Sequence, residues 1–309
     1  MKKAITTVTI LFSIIFGVLG FIVSMTHFSY SIESKSEFHI KNEADFYHYT
    51  THYTAYDVCY LSGNIEVSQL FDSIGNKKDI FQSTFDGKGY SIEFKENAQS
   101  KSLFDIIGEQ GVVKNLEIKI DKCTINQPSY GALAIQNYGK ISNVMVEIEE
   151  LSIYEETIAG GIVGLNYGEM SFLYGNIKVI NNKGVSTVGT LCGYNDGKIS
   201  NAFSIISYSN VPEVIKENLL SGAVNNSYGF ACGVNNKADG IVECYYMNKD
   251  SYLCSDRYIT KNLSNYLSDF EFDVVLSILR FPVKIWELTI DDTNEINFEF
   301  SIKDGVVSE

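Results

Sequence analysis

The step Asn-x-Gly recurs at Asn137-Tyr138-Gly139, Asn166-Tyr167-Gly168 and Asn195-Asp196-Gly197, 29 residues apart each time, and each copy follows a short run of small apolar residues. A fourth copy, Gly229-Phe-Ala-Cys-Gly233-Val-Asn235, comes 40 residues after Asn195, and a degenerate one ends at Gly111, 28 residues before Gly139. A fixed period of this length means one supersecondary unit used repeatedly, because a single coil cannot bury its own apolar face and must share a core with its neighbours. Each unit reads as a small-residue strand, the tight turn, an alternating strand such as Val144-Met145-Val146-Glu147-Ile148, and a variable return segment. Glycine at the turn is expected to supply positive φ, and asparagine to bond to the coils above and below. The repeat positions are therefore Gly111, Asn137, Gly139, Asn166, Gly168, Asn195, Gly197 and Asn235. Asn115, Asn143 and Asn201 share a second position, where Phe172 stands in the intervening unit.

The expectation is an all-β chain: a parallel β-solenoid with coils of 28–29 residues, closed by a C-terminal helical cap. With 20 tyrosines, 19 phenylalanines and only 3 prolines in 309 residues, composition agrees. The segments are 1–30 as a signal anchor or signal peptide, 31–56 as a juncture and entry segment, 57–250 as the solenoid, 251–290 as the cap and 291–309 as an acidic tail. The cap is expected to be helical because Leu263, Tyr266, Leu267, Phe270, Val274, Val275 and Ile278 recur near a 3.6 period. The wider spacing before Asn235 is read as a loop grown from the return segment around Tyr208 to Ser227.

Lys2 and Lys3 precede a stretch without charge from Ala4 to Tyr30, which has the pattern of an export signal or a transmembrane anchor. A membrane contact through residues 4–25 would leave the N-terminus inside and the rest on the extracellular face, or secreted after cleavage. A net charge of −14 and only two arginines, Arg257 and Arg280, argue against nucleic acid as a partner. Six cysteines permit disulfides in an exported chain, yet Cys192 and Cys232 fall at one repeat position and read as buried free thiols.

At these residues the chain resembles the GLUG-motif family of bacterial surface proteins. Asp57 to Val67 resembles that family's entry strand, Phe85-Asp86-Gly87-Lys88-Gly89-Tyr90 its Phe-Asp-Gly turn, and Phe281 to Trp286 its closing Pro-Val-x-x-Trp segment. The resemblance implies a right-handed β-helix-like fold on exported proteins, including regions beside the catalytic domains of immunoglobulin-A metallopeptidases, and no shared active site. Phe172 in place of asparagine and the shifted Asp239-Gly240 depart from the pattern, and no cell-wall sorting signal is visible.

No catalytic residue, metal site or cofactor is expected. His-Glu-x-x-His is missing, and the stretch from Gly108 to Tyr246 has neither arginine nor histidine. Asp86, Asp105, Asp121, Glu169 and Asp196 are the available carboxylates, and Asp86, Glu169 and Asp196 read as turn residues. Tyr138, Tyr167 and Tyr194 recur near the turns, where stacked rings would shield the backbone or contact an extracellular protein or glycan. The expected role is structural or adhesive; the alternatives are a carbohydrate-active β-helix enzyme and an accessory or spacer module for a surface protease.

Overall fold

The computed structural model describes residues 36–154, 156–177, 180–182, 186–206, 227–229, 231–237, 239–248, 260–262, 286–290 and 296–300. The anchor or signal segment, the periodic stretch 263–278 and the widened return around 208–226 lie outside the described residues.

The described chain is a parallel β-solenoid of about five turns with one short helix. Each turn passes through three sheets. In one coil these are the long strand Lys140–Ile153, the short strand Thr157–Gly160 and the short strand Val163–Asn166, after which Tyr167 and Gly168 turn the chain into the next long strand, Glu169–Ile177. Stacking gives sheets of 12, four and five strands, and every pairing within them is parallel.

Register follows the sequence period. Lys140 pairs with Val112 on one side and with Glu169 on the other, and Glu169 pairs with Lys198. Inward side chains therefore form ladders of like residues: Leu116, Val144, Leu173, Ala202 and Cys244 stand in line and are all at most 1% exposed. Burying one such aliphatic side chain contributes about 1.5–3 kcal/mol, so each added coil lengthens the core by several such increments. Leu133, Ile162 and Leu191 make a second ladder at the corner between the short sheets. Cys192 and Cys232 are register partners, and both are buried free thiols, as are Cys59 and Cys123; Cys244 is buried too, with its Sγ 3.9 Å from the Ile199 carbonyl oxygen.

Positive φ is not where the turn glycines were expected to supply it. It falls on Asn115 and Asn143 at 54°, Phe172 at 54° and Asn201 at 52°, while Gly139, Gly168 and Gly197 lie outside the left-handed region. Those glycines are set by close approach instead. A Cβ on Gly168 would crowd the carbonyl oxygen of Gly139 and come within 2.9 Å of the Asn137 amide nitrogen, and one on Gly197 would meet the Gly168 carbonyl in the same way.

Asparagine ladders fix both columns. Asn137 Nδ2 donates to Asn166 Oδ1 at 2.8 Å, Asn166 Nδ2 to Asn195 Oδ1 at 2.7 Å and Asn195 Nδ2 to Asn235 Oδ1 at 2.7 Å. Gly139 N–H donates to Asn137 Oδ1, closing the turn locally. The second ladder begins at Asp86, whose Oδ1 accepts from the backbone N–H of Lys88 and from Asn115 Nδ2; Asn143 Nδ2 then donates to Asn115 Oδ1.

Ahead of the first coils, Asn42 caps the helix Glu43–His52 by accepting from the Asp45 N–H, and Glu43 and Asp45 suit the positive end of its dipole. Phe46, Tyr49 and Tyr53 recur at helical spacing and are buried. Phe46 meets Phe71 edge-on at 5.1 Å, and Tyr49 lies 6.0 Å from Phe85. The residues beyond the solenoid include Trp286–Ile290 and Ile296–Phe300, which pair antiparallel.

Candidate functional site

Three residue types side by side in the sequence build a groove along the corner where the five-stranded sheet turns into the long one. The tetrapeptides are Asn137-Tyr138-Gly139-Lys140, Asn166-Tyr167-Gly168-Glu169 and Asn195-Asp196-Gly197-Lys198. Asparagine points inward and is fully buried, the next residue stands outward, glycine leaves a floor of bare backbone, and the fourth residue begins the long strand as the opposite wall. The resulting groove has a volume of about 580 Å³. Its lining comes from five successive turns, from Glu109 to Val242, so it runs parallel to the solenoid axis. With strands about 4.8 Å apart, that is roughly 19 Å of length.

One wall is aromatic. Tyr138 and Tyr167 are 42% and 38% exposed, and their rings stack at 4.9 Å with planes 11° apart. Each ring therefore covers a face of the other, and the wall presents ring edges and hydroxyls to the groove. Burial first, and then the neighbouring Tyr138, Tyr194 and Asp196, raise the Tyr167 hydroxyl above its ordinary value, which keeps it a neutral donor. The Tyr138 hydroxyl reaches Gln136 Oε1 at 3.4 Å.

The other wall is charged. Lys140, Glu169 and Lys198 hold the same register position on three successive strands, and Lys140 Nζ lies 3.7 Å from Glu169 Oε2. Glu109 on the preceding turn and Lys237 and Asp239 on the following one complete a set of three cations and three anions. Lysine separates the carboxylates along the wall.

Tyr194 does not share this place. It precedes Asn195 rather than following it, pairs in register with Leu165, and its ring is tilted 51° from Tyr167 at 6.2 Å. It is not among the groove-lining residues, and Asp196 stands where a third stacked tyrosine would, accepting at Oδ1 from Asn236 Nδ2. The lysines and Glu169 as a wall were missed from sequence; the signal was the charged residue immediately after each turn glycine.

The remaining carboxylates have local partners. Asp86 is 3% exposed and holds its own turn, with Lys88 and Lys114 at 3.4 and 3.6 Å. Asp121 lies 3.8 Å from Lys95, and Asp105 is raised mainly by burial against the pull of Lys77 and Lys101. Among the described residues no group of three or more His, Cys, Asp or Glu could hold a metal ion, and no helix is long and apolar enough to cross a membrane.

No family model matches the chain. It is 37% identical over 84 residues to a protein of Evansella cellulosilytica named "Putative Gly-rich membrane protein", a match covering 25% of this chain and 10% of that protein. Among solved structures it is similar to one described as "a putative immunoglobulin A1 protease from Bacteroides ovatus", with 14% identity, a TM-score of 0.48, and coverage of 85% of this chain and 92% of that one. The chain thus spans about a tenth of the sequence relative it matches.

Proposed function

We propose that this chain is an exported β-solenoid of the bacterial cell surface, held by residues 4–25 or secreted, whose corner groove binds an extracellular glycan or protein in an adhesive role. The observation that carries the reading is the groove: a stacked pair of exposed tyrosines faces a wall of alternating lysine and carboxylate across a glycine floor. A core-stabilising role alone needs neither exposed wall. The name of the matched relative includes a membrane protein, in keeping with the apolar stretch from Ala4 to Tyr30.

Binding is favoured over catalysis on one further point. Paired carboxylates that share acid and base roles must face a common bond, whereas Lys140 and Lys198 here flank Glu169 on both sides. A glycan and extracellular-protein array probed with residues 31–309, beside a Tyr138→Ala/Tyr167→Ala variant, tests the proposal. Retained signal that the double substitution abolishes is expected; silence across both arrays would sink the adhesive reading. Membrane attachment is tested separately by alkaline washing of membranes, where release of the full-length protein counts against an anchor.

A further inference from the structure

We infer that the corner groove takes a linear β-linked polysaccharide lying along the solenoid axis and carrying a carboxylate on every second sugar. The inference rests on the binding role proposed above and adds the repeat of the ligand.

Spacing comes first. The groove advances one strand separation per coil, about 4.8 Å, and an extended β-linked pyranose chain advances by nearly the same length per sugar. One sugar can therefore meet one coil over the whole groove. An extended peptide repeats same-face side chains every ~6.6 Å and drifts out of step with the rungs.

Charge then sets the alternation. Lys140 and Lys198 are two coils apart in one register column, with Glu169 between them. A carboxylate on alternate sugars would meet both lysines, and the intervening sugar would offer its hydroxyl or amide hydrogens to Glu169. Lys140 and Glu169 are 67% and 65% exposed, so opening their ion pair costs little. Three cations matched by three anions leave the groove locally neutral on a chain of net charge −14, which disfavours a polymer charged on every unit. The tyrosines suit this ligand as a rigid edge of hydroxyl donors, because their mutual stacking hides faces that a sugar could otherwise cover.

The test is calorimetric titration of the full-length protein, in detergent, with three probes of equal length. They are an alternating uronic acid–N-acetylhexosamine oligosaccharide, an all-uronic β-linked one and a neutral β-linked N-acetylglucosamine one. The alternating chain should bind about tenfold tighter than either of the others. The exchange Glu169→Lys/Lys198→Glu keeps net charge constant but breaks the alternation at exposed positions, and should lose that advantage while the thermal melt stays unchanged. Equal binding of the neutral or all-uronic chain, or full affinity in the exchanged variant, overturns the inference and leaves the groove a binding site. If no probe binds while the arrays return another partner, the inference alone fails. Silence in both defeats the binding role as well.

Discussion

Asn166 shows what one repeat position contributes. It is fully buried, and its amide both accepts from Asn137 and donates to Asn195. Asn166→Ala would take from Asn137 its 2.8 Å acceptor and from Asn195 its 2.7 Å donor, leaving each only a longer contact within its own turn, at about 0.5–1.5 kcal/mol for each bond lost. Asn235 is half-buried and ends the row by donating to the Lys237 carbonyl, so Asn235→Ala should cost about 1 kcal/mol. Urea unfolding of the two variants checks the ordering, and equal losses would mean the ladder is not a connected network. Phe172 is the opposite case. Its φ of 54° is a conformation that asparagine adopts at Asn115, Asn143 and Asn201 and that a bulky side chain resists. Phe172→Asn is expected to raise stability by about 1 kcal/mol, and a drop in melting temperature would show that contacts of the ring outweigh the backbone strain.

At the scale of the strand, inward and outward rows behave differently. Glu117, Met145, Tyr174 and Phe203 share one register column of the long sheet on the side opposite the inward ladder, and all four are nonetheless buried. Burial is the main reason the Glu117 carboxyl is raised above its ordinary 4.5, with Lys119, 3.1 Å away, pulling the other way and Glu147 and Glu93 adding to the rise. The folded chain then holds this proton more tightly than the unfolded chain, so the group subtracts stability as pH climbs above 4.5. Glu117→Gln should stabilise the protein at neutral pH, and the gain should vanish in acid below that value; a gain independent of pH would point away from ionisation. The coil period and the asparagine columns were legible in the sequence because like residues stack only when the register repeats. The reason for the turn glycines was not, since the letters alone do not distinguish a positive φ from a carbonyl pressed against the Cα. Nor was the place of Tyr194, because in register it stands two residues from Tyr138 and Tyr167, before the buried asparagine rather than after it, so its ring meets Tyr167 tilted instead of extending the stack. The charged wall escaped notice for a related reason: Lys140, Glu169 and Lys198 look like solvated strand ends until register lines them up beside the tyrosines.

The described solenoid is a stack in which each coil meets only its neighbours, so nothing within the repeat limits its length. A limit has to come from the ends. At the entry, strand Glu37–Ile40 pairs with Val58–Leu61, and the helix Glu43–His52 lays Phe46 and Tyr49 over the first coils, where Tyr49 approaches the fully buried Phe85. Without these elements the backbone of Val58–Leu61 would be an open parallel edge, and the buried Cys59 and Phe85 would face water. Such an edge offers the contact that one coil offers the next, a head-to-tail geometry that does not close on itself. A chain beginning at residue 57 is therefore expected to self-associate, eluting earlier from a sizing column as concentration rises, while a chain beginning at residue 36 does not shift. Identical elution of the two would mean the solenoid core resists end-to-end addition by itself, and the entry segment would then be an attachment rather than a stop.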